Sequence, residues 1–281
     1  MLVFFIILIA VISALIICCF IERQIIITRR QDISLENLPP AFNNLKILQI
    51  SDIHHRKFGE NQNRILKRVK REMPDIIAIT GDLISRDIRD FSGTGNFCKA
   101  LGEIAPVLFS IGNHELDLPD KVRSTYIETL KNAGVNVLLN SSYPLRKDDE
   151  VIYFIGASLD ISVYHDGNHS YADLNTYSLK ELESDIGTYN GFTVLLAHNP
   201  LIFDVYAEWN ADLILSGHVH GGVIRLPFIG GLLSPERKFF PAYTRGLYQM
   251  DSSKLYVSAG IGKFRLFNPS EINLITLLSK R

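Results

Sequence analysis

Side chains suited to metal binding occur in five short motifs along the chain. The motifs are Asp52-Ile-His54, Gly81-Asp82, Gly112-Asn-His-Glu115, His198-Asn-Pro200 and Gly217-His-Val-His220. Aspartate, asparagine and histidine offer the oxygen and imidazole donors that bind borderline divalent cations such as zinc, manganese, iron or nickel. The seven candidate ligands are Asp52, His54, Asp82, Asn113, His198, His218 and His220. This number is too large for one tetrahedral site and suits two metal ions that share one carboxylate.

Each motif alone also has an ordinary structural explanation. Asp52 could cap a helix, Asp82 could sit in a turn, and His198 could be a half-buried histidine. The histidines of the last motif, His218 and His220, diverge on an extended stretch and could reach different metals, or one metal from two sides. All five motifs in order, each directly after a predicted strand, favour one shared site.

Short apolar runs predict the strands that position these motifs. Strands are predicted at residues 45–51, 75–80, 105–111, 151–157, 192–197, 213–216, 255–259 and 272–278. Amphipathic helices are predicted at residues 61–72 and 120–133. Because the carboxyl ends of strands line one crevice in α/β sheets, the motifs should converge there. Strands and helices alternate in the first half and strands dominate the second, so we expect a β-rich core of two sheets with helices outside.

The first 20 residues are apolar and uncharged, with Ser13 as the only hydroxyl. As a helix they would span about 30 Å, the thickness of a bilayer's hydrocarbon core. A cleaved signal peptide would have a positive residue before the apolar run and a small-x-small cleavage site, and both are missing. A lipoprotein anchor at Cys18 is disfavoured because Ile17 precedes it. We therefore predict an uncleaved transmembrane anchor, although a buried core helix is the alternative.

These features divide the chain into three parts. Residues 1–21 are the predicted anchor, residues 22–44 a stalk or a peripheral strand, and residues 45–281 one catalytic domain. Arginines follow the apolar run and no basic residue precedes it, so the positive-inside rule places the domain of this single-pass cell-membrane protein in the cytoplasm.

Composition excludes several classes of protein. With 29 Lys+Arg against 30 Asp+Glu, the net charge of -1 gives no electrostatic reason to expect binding to nucleic acid. Apolar residues make up 47% of the chain, which excludes global disorder. The three cysteines, Cys18, Cys19 and Cys98, provide neither a disulfide framework nor a CxxC metal site. The sequence does not specify an oligomeric state.

The series D-x-H, G-D, G-N-H-E, H and G-H-x-H resembles the calcineurin-like metallophosphoesterase superfamily, from about Leu45 to the C-terminus. Residues 216–228, 240–248, 257–262 and 265–271 are similar to the membrane-associated bacterial phosphodiesterases of the YaeI/YkuE type. The resemblance implies a four-layer αββα sandwich, in which two mixed β-sheets are flanked by helices and the site lies at the strand ends. It also implies two divalent metal ions, with manganese, zinc and iron as candidates.

The resemblance implies a role for each matching residue. The implied ligands are Asp52, His54 and His220 for the first metal, Asn113, His198 and His218 for the second, and Asp82 as the bridge. His114 matches the catalytic histidine and would protonate the leaving oxygen rather than bind metal. Glu115 stands where aspartate is more usual. The Asp82 motif lacks the later aspartate of the protein phosphatases, which argues against a phosphoprotein phosphatase of that type.

Three further residues are candidates for contact with substrate. Arg225 and Arg265 could grip a phosphate bidentately, although structural salt bridges are the alternative. His55 follows a candidate ligand and would point away from it, toward substrate or solvent. His165 and His169 stand in a polar stretch that is predicted to be an exposed loop.

The predicted function is dinuclear-metal hydrolysis of a phosphodiester or pyrophosphate bond by a metal-activated hydroxide. An anchor beside a phosphate-cleaving site favours a phosphate-containing, membrane-associated substrate, with lipid-linked compounds among the candidates. Hydrolysis of UDP-2,3-diacylglucosamine in lipid A biosynthesis is the candidate that related branches suggest. A cytosolic nucleotide phosphodiesterase is the alternative enzyme. A non-catalytic metal-binding scaffold is disfavoured because the ligand positions and His114 are intact.

Overall fold

The computed structural model describes residues 1–22, 24–165, 176–222, 224–226, 230–233, 239–262 and 267–280. The helices are α1 (Leu2–Glu22), α2 (Asn63–Glu72), α3 (Ser92–Gly102), α4 (Asn113–Leu116), α5 (Asp120–Asn132), α6 (Leu179–Ile186) and α7 (Phe203–Glu208). The strands are β1 (Ile26–Leu35), β2 (Lys46–Ile50), β3 (Ile76–Thr80), β4 (Val107–Ser110), β5 (Asn136–Val137), β6 (Ser141–Lys147), β7 (Glu150–Ala157), β8 (Phe192–Ala197), β9 (Leu213–Ser216), β10 (Ile224–Leu226), β11 (Gly230–Leu233), β12 (Gly246–Met250), β13 (Ser253–Val257) and β14 (Ser270–Ser279). Every strand and helix that the sequence predicted is present, with ends within two residues of the expected ones.

Two six-stranded sheets form the centre of the domain, and both are mixed. The first has the order β1-β14-β2-β3-β4-β5, and the second has the order β12-β13-β9-β8-β7-β6. Neighbouring strands β2, β3 and β4 are parallel, and so are β7, β8 and β9. Within each sheet the carboxyl ends of these strands therefore lie at one edge, where the motifs follow.

Apolar side chains separate the two sheets from each other and from the helices. Ile47 and Leu108 of the first sheet share a buried cluster with Phe154 and Leu215 of the second. The outer face of the first sheet packs against α2, α3 and α5 through residues such as Ile65, Phe97 and Tyr126. The outer face of the second sheet packs against α6 and α7 through Leu182, Phe203 and Tyr206. These three apolar layers create the expected four-layer sandwich.

Residues 22–44, expected as a stalk or a peripheral strand, contain the long edge strand β1. It pairs in parallel with β14 from Ile26, opposite Ser270, to Leu35, opposite Ser279. Arg30 makes two hydrogen bonds to the Glu72 carboxylate, at 2.9 and 2.7 Å. Of the two expectations, the peripheral strand is the one that the structure contains.

The N-terminal helix α1 is long and apolar enough to cross a membrane, judged by length and composition. Its side chains are largely exposed, and the part of α1 that could span a bilayer is not buried against the domain. Its end touches the domain, because the Glu22 carboxylate accepts a hydrogen bond from the Phe267 N–H at 2.7 Å.

Candidate metal centre

The five sequence motifs meet where β2, β3, β4, β8 and β9 end. All seven candidate ligands are buried there: Asp52, His54, Asp82, Asn113, His198, His218 and His220. The Gln49 side chain fixes the two sheets together just below this point. Its amide donates to the Thr80 hydroxyl at 3.0 Å and to the Ser216 carbonyl at 2.9 Å. The convergence expected from the strand order is therefore present.

Five of the seven candidate ligands have a left-handed backbone, which non-glycine residues rarely adopt. Their φ angles are 55° for Asp52, 54° for His54, 52° for Asp82, 69° for His218 and 54° for His220. Such conformations cost on the order of 1–3 kcal/mol each and cluster at functional sites. The loops thus hold these side chains at the expense of local backbone strain.

Asp52, His54 and His220 form one group, whose donor atoms all lie within 4.8 Å of one another. His220 Nδ1 lies 3.4 Å from Asp52 Oδ1. The Ser51 hydroxyl donates to Asp52 Oδ2 at 2.6 Å and orients the carboxylate. These are the three residues expected at the first metal.

The Asp82 carboxylate lies between the two halves of the site. Its Oδ2 is 3.7 Å from His54 Nε2 and 3.4 Å from His198 Nε2. Asp52, Asp82 and His198 form a further group with donor atoms within 4.8 Å. A carboxylate in this position can contact cations on both sides, as the expected bridge must.

His198, His218 and Asn113 occupy the other half of the site. His218 Nδ1 lies 3.1 Å from Asn113 Oδ1. His198 Nδ1 lies 2.7 Å from the Thr80 carbonyl, so a proton on Nδ1 directs Nε2 toward the carboxylates. His218 and His220 diverge, since one approaches Asn113 and the other Asp52.

His114 is the second residue of α4, and its side chain faces the same centre. Its backbone N–H donates to Asp82 Oδ1 at 2.9 Å. Its Nδ1 accepts a long hydrogen bond from the Arg86 N–H at 3.4 Å, and its Nε2 lies 3.9 Å from Asp82 Oδ2. A neutral His114 therefore carries its proton on Nε2. The distances also admit His114 as a ligand beside His54 and Asp82, so its assignment as an acid rests on the family pattern.

Glu115 connects the two loops that carry Asp82 and Asn113. Its Oε2 accepts hydrogen bonds from the Asp82 and Gly112 N–H groups at 2.9 Å each, and its Oε1 accepts one from the Ile84 N–H at 3.1 Å. Burial, with the nearby charge of Asp82, raises the pKa of this carboxyl to about 7. The sequence showed Glu115 only as a departure from the usual aspartate.

The two buried aspartates differ in how easily they ionise. Burial and then the charge of Asp82 raise the pKa of Asp52, despite the nearby His198. Burial would also raise the pKa of Asp82, but His198, His114 and His54 together lower it well below its usual value. Burial disfavours protonated His198, yet Asp82 and Asp52 raise its pKa to about 9. In the metal-free protein, a proton on His198 therefore offsets part of the buried carboxylate charge, and a cation would replace it.

The donor set fits two divalent metal ions. It combines two carboxylates, one amide oxygen and four imidazoles, all of them buried where the strands end. These donors are the ones that manganese, zinc and iron accept in proteins. Buried carboxylates and imidazoles in such numbers otherwise carry a high desolvation cost, which bound cations offset.

Two of the three candidates for substrate contact have partners outside the ligand set, and the third falls beyond the described residues. His55 is exposed and its Nε2 lies 3.1 Å from Asp87 Oδ1. Arg225 Nη1 donates to the Gly221 carbonyl at 3.2 Å and to the Thr244 hydroxyl at 3.3 Å, so it braces the loop after His220. Arg265 lies outside the residues that the structure describes.

The expectation that His165 lies in an exposed loop is wrong, whereas His169 falls outside the described residues. His165 is buried, and its Nε2 lies 3.0 Å from Asp117 Oδ1. Asp117 also pairs with Arg86 Nη2 at 3.0 Å. Arg86 thus contacts both Asp117 and, through its backbone N–H, His114. The sequence did not single it out, although it stands four residues after Asp82.

A cavity of about 570 Å³ adjoins the site at His54. Arg56 and Lys57 line it together with apolar residues such as Leu83 and Phe97. A larger cavity of about 780 Å³ lies near Arg123, and its described lining contains none of the candidate ligands. Only the smaller one is placed to receive a group attached to a phosphate at the site.

Residues 45–222 match the protein family described as "Calcineurin-like phosphoesterase". The match spans well over half of the chain and contains all seven candidate ligands and His114. It begins at the residue where the sequence motifs predicted the catalytic domain to start.

Three curated relatives align with most of this chain. "Uncharacterized metallophosphoesterase YkuE" of Bacillus subtilis (strain 168) is 28% identical over 92% of this chain and 88% of its own length. "Phosphodiesterase YaeI" of Escherichia coli (strain K12) is 27% identical over 83% of this chain and 82% of its own. "UDP-2,3-diacylglucosamine pyrophosphatase LpxG" of Chlamydia muridarum (strain MoPn / Nigg) is 24% identical over 86% and 87%. The first two confirm the expected resemblance to the YaeI/YkuE type.

Proposed function

Because this chain belongs to the calcineurin-like phosphoesterase family, a family of metal-dependent phosphoric ester hydrolases, we propose that it cleaves a phosphodiester or pyrophosphate bond with two divalent metal ions. The proposal rests on the position of the Asp82 carboxylate between the two halves of the site. Its Oδ2 lies 3.7 Å from His54 Nε2 and 3.4 Å from His198 Nε2. The proposed ligands are Asp52, His54 and His220 for one ion, Asn113, His198 and His218 for the other, and Asp82 for both. Bound manganese, zinc or iron would supply a hydroxide near neutral pH and neutralise charge on the phosphate oxygens.

The protein's own groups place the reactants and handle the leaving-group proton. His114 carries a proton on Nε2 toward the centre, where it can pass to the departing oxygen. General acid catalysis of this kind contributes typically about 10²–10⁴-fold to the rate. The hydrogen bond from the His114 N–H to Asp82 Oδ1 keeps the acid and the proposed bridging carboxylate in one geometry.

The proposed substrate is a phosphate-containing amphiphile in a membrane. The exposed apolar helix α1 supports this proposal, because about 30 Å of apolar helix suits the hydrocarbon core. A relative named as a UDP-2,3-diacylglucosamine pyrophosphatase supports it as well. The pyrophosphate bond of UDP-2,3-diacylglucosamine, and with it lipid A biosynthesis, is the specific candidate. His55 lines the cavity beside His54, and Arg225 braces the loop after His220, so neither singles out a particular substrate.

The proposed location is the cell membrane, with α1 as a single span and the domain in the cytoplasm. The basic residues Arg29 and Arg30, which follow the apolar run, support this orientation. Protease added to intact cells should leave the domain uncut. Digestion of the domain from outside would refute the cytoplasmic orientation.

Hydrolysis of bis(p-nitrophenyl) phosphate by the full chain in detergent tests the proposed chemistry. We expect manganese-dependent activity that falls about 10²–10⁴-fold in His114→Ala and by a comparable factor in Asp82→Asn. Asp149→Asn makes the same change as Asp82→Asn at an exposed turn and should keep full activity. Wild-type activity no higher than that of His114→Ala and Asp82→Asn would favour a non-catalytic scaffold.

The same preparation can be profiled against UDP-2,3-diacylglucosamine, phospholipids and cyclic nucleotides. We expect the highest kcat/KM for an amphiphile. A clear preference for cyclic nucleotides would instead support the cytosolic nucleotide phosphodiesterase and refute the proposed substrate class.

A further inference from the structure

The apolar helix α1 joins the domain at the same end as the proposed metal centre. Strand β1 starts four residues after α1 ends, and its first residue, Ile26, lies opposite Ser270 at the start of β14. Strand β14 runs antiparallel to β2, with Asn273 opposite Gln49. The start of β14 therefore lies at the carboxyl end of β2, which Asp52 follows. The strand register alone brings the end of α1 to the edge of the sheet that carries the site.

One chain of hydrogen bonds connects the end of α1 with the loop of His220. Glu22 accepts from the Phe267 N–H at 2.7 Å, and the neighbouring Asn268 amide donates to the His220 carbonyl at 2.7 Å and to the Gly222 carbonyl at 3.0 Å. With standard covalent geometry, these contacts keep the Glu22 carboxylate within about 15 Å of the His220 backbone.

A second chain of contacts reaches the His54 side of the site. Arg64 donates from Nη2 to the Gln24 carbonyl at 2.7 Å, two residues after α1. The Arg64 backbone N–H donates to the Phe58 carbonyl at 3.1 Å, and its guanidinium lies 5.7 Å from the Phe58 ring centre. The neighbouring residues Arg56 and Lys57 line the cavity beside His54. The end of α1 is thus held from both sides of the site.

Exposed apolar side chains concentrate at this same end. After α1, the described residues with large exposed apolar side chains are Ile25, Met73, Leu139, Phe239, Phe240, Leu247 and Phe267. Ile25 directly precedes the site-end start of β1, and Phe267 lies three residues before the site-end start of β14. Leu247 is the second residue of β12, whose first residue Gly246 pairs with the last residue of β13. Phe239 forms a bridge with Leu233 at the end of β11, and Phe240 follows it.

We propose that the site end of the domain rests on the surface of the bilayer that holds α1. We call Ile25, Phe239, Phe240, Leu247 and Phe267 the bilayer-facing rim. A spanning α1 puts Gln24 and Ile25 at the headgroup layer, and the rim extends the exposed apolar surface of the helix at that level. A lipid surface is the occupant that can contact α1 and the rim together. Exposed aromatic side chains suit this layer because their rings are stable at the interface.

This arrangement, which rests on the proposed membrane insertion, would let the metal centre reach a phosphate in the headgroup layer. An amphiphile would not have to leave the bilayer for its phosphate to approach the site. The cavity beside His54 could then receive the polar group on the other side of the scissile bond.

Bimane fluorescence in vesicles tests the proposed surface without relying on catalysis. In the full chain with Cys18→Ser and Cys19→Ser, Phe240→Cys and Phe267→Cys would each be labelled with bimane. Asp149→Cys, in the exposed turn between β6 and β7, is the matched control at the opposite end of the sheet. The chain is reconstituted in phosphatidylcholine vesicles with and without lipid brominated near the headgroup, and flotation reports insertion.

We expect brominated lipid to quench bimane at positions 240 and 267 and to leave bimane at position 149 unchanged. Equal quenching at all three positions, or none at 240 and 267 in a chain that floats with the vesicles, would overturn the proposal. A blue-shifted but unquenched signal at 240 and 267 would indicate a second protein chain and overturn it too. A chain that does not float would refute both membrane insertion and the surface, whatever its hydrolytic activity.

Discussion

The carboxylate of Glu115 holds the loop of Asp82 against the loop of Asn113. Three backbone N–H groups converge on it, from Asp82, Ile84 and Gly112. A glutamine here offers one oxygen and turns an NH2 group toward at least one of these donors. Glu115→Gln should lower manganese affinity by about 10–100-fold, the usual effect of disturbing groups that orient ligands. Isothermal titration calorimetry on the metal-stripped protein measures this change.

Glu128→Gln is the matched control, since Glu128 is exposed on α5. It should bind manganese as the wild type does. Urea unfolding should show that Glu115→Gln loses about 1–3 kcal/mol, the cost of an unsatisfied buried donor. Unchanged manganese affinity in Glu115→Gln would show that this carboxylate does not position Asp82.

The candidate ligands could be predicted because few residue types bind metal ions, and in this chain those residues directly follow short apolar runs. The same reasoning could not find Glu115 as a positioning residue, since its partners are backbone N–H groups on two loops. It also placed His165 on the surface. The hydrogen-bond partner of buried His165 is the Asp117 carboxylate, which is 48 residues away in sequence, and no local pattern indicates such a partner.

The loop after β9 leaves no room for a side chain at Gly217. A methyl group there would collide with the Ser51 hydroxyl and the Asp52 carboxylate. Gly217→Ala should therefore displace Asp52, which costs about 1–3 kcal/mol of stability as an overpacked site. We expect manganese-dependent hydrolysis to fall by more than the loss of folded protein explains, as measured by activity and urea unfolding on one sample.

Gly102→Ala provides the comparison, because an added methyl at this exposed end of α3 meets no atom within 4 Å. It should keep full activity and leave stability unchanged or raise it by up to about 1 kcal/mol. Full activity in Gly217→Ala would mean that the loop packing against Asp52 is not required.

Elements with strong apolar patterns were predicted well, and those without them were not. The buried strands β3 and β8 are nearly continuous apolar runs. Strand β1 contains the polar run Thr28-Arg-Arg-Gln-Asp32 because it lies at a sheet edge, where half of its side chains meet water. Helix α3 begins with Ser92-Gly-Thr-Gly95, residues with weak helix propensity, and forms through the burial of Phe97, Cys98 and Leu101.

At the scale of the whole molecule, the chain passes from helix α1 into the first sheet through β1, which follows α1 closely. A chain lacking residues 1–23 keeps β1 and should fold, remain in solution and hydrolyse a soluble phosphodiester. A chain lacking residues 1–35 loses the buried side chains of Ile26, Ile33 and Leu35. At about 1.5–3 kcal/mol each, their loss is comparable to the entire stability of a domain.

Circular dichroism and size-exclusion chromatography distinguish the two truncations. The chain lacking residues 1–23 should be a monodisperse folded protein, whereas the chain lacking residues 1–35 should aggregate or unfold. A folded, active chain without residues 1–35 would show that β1 is dispensable. The sequence could not decide between stalk and strand, because β1 pairs with β14 at the opposite end of the chain.

The most direct test of the two-metal centre is a titration of activity with metal. The metal-stripped full chain is assayed on bis(p-nitrophenyl) phosphate while manganese is added in steps. If the cluster around Asp82 holds two ions, activity should reach its plateau at two equivalents of manganese per chain. Full activity without metal, or a plateau at one equivalent, would contradict the dinuclear centre.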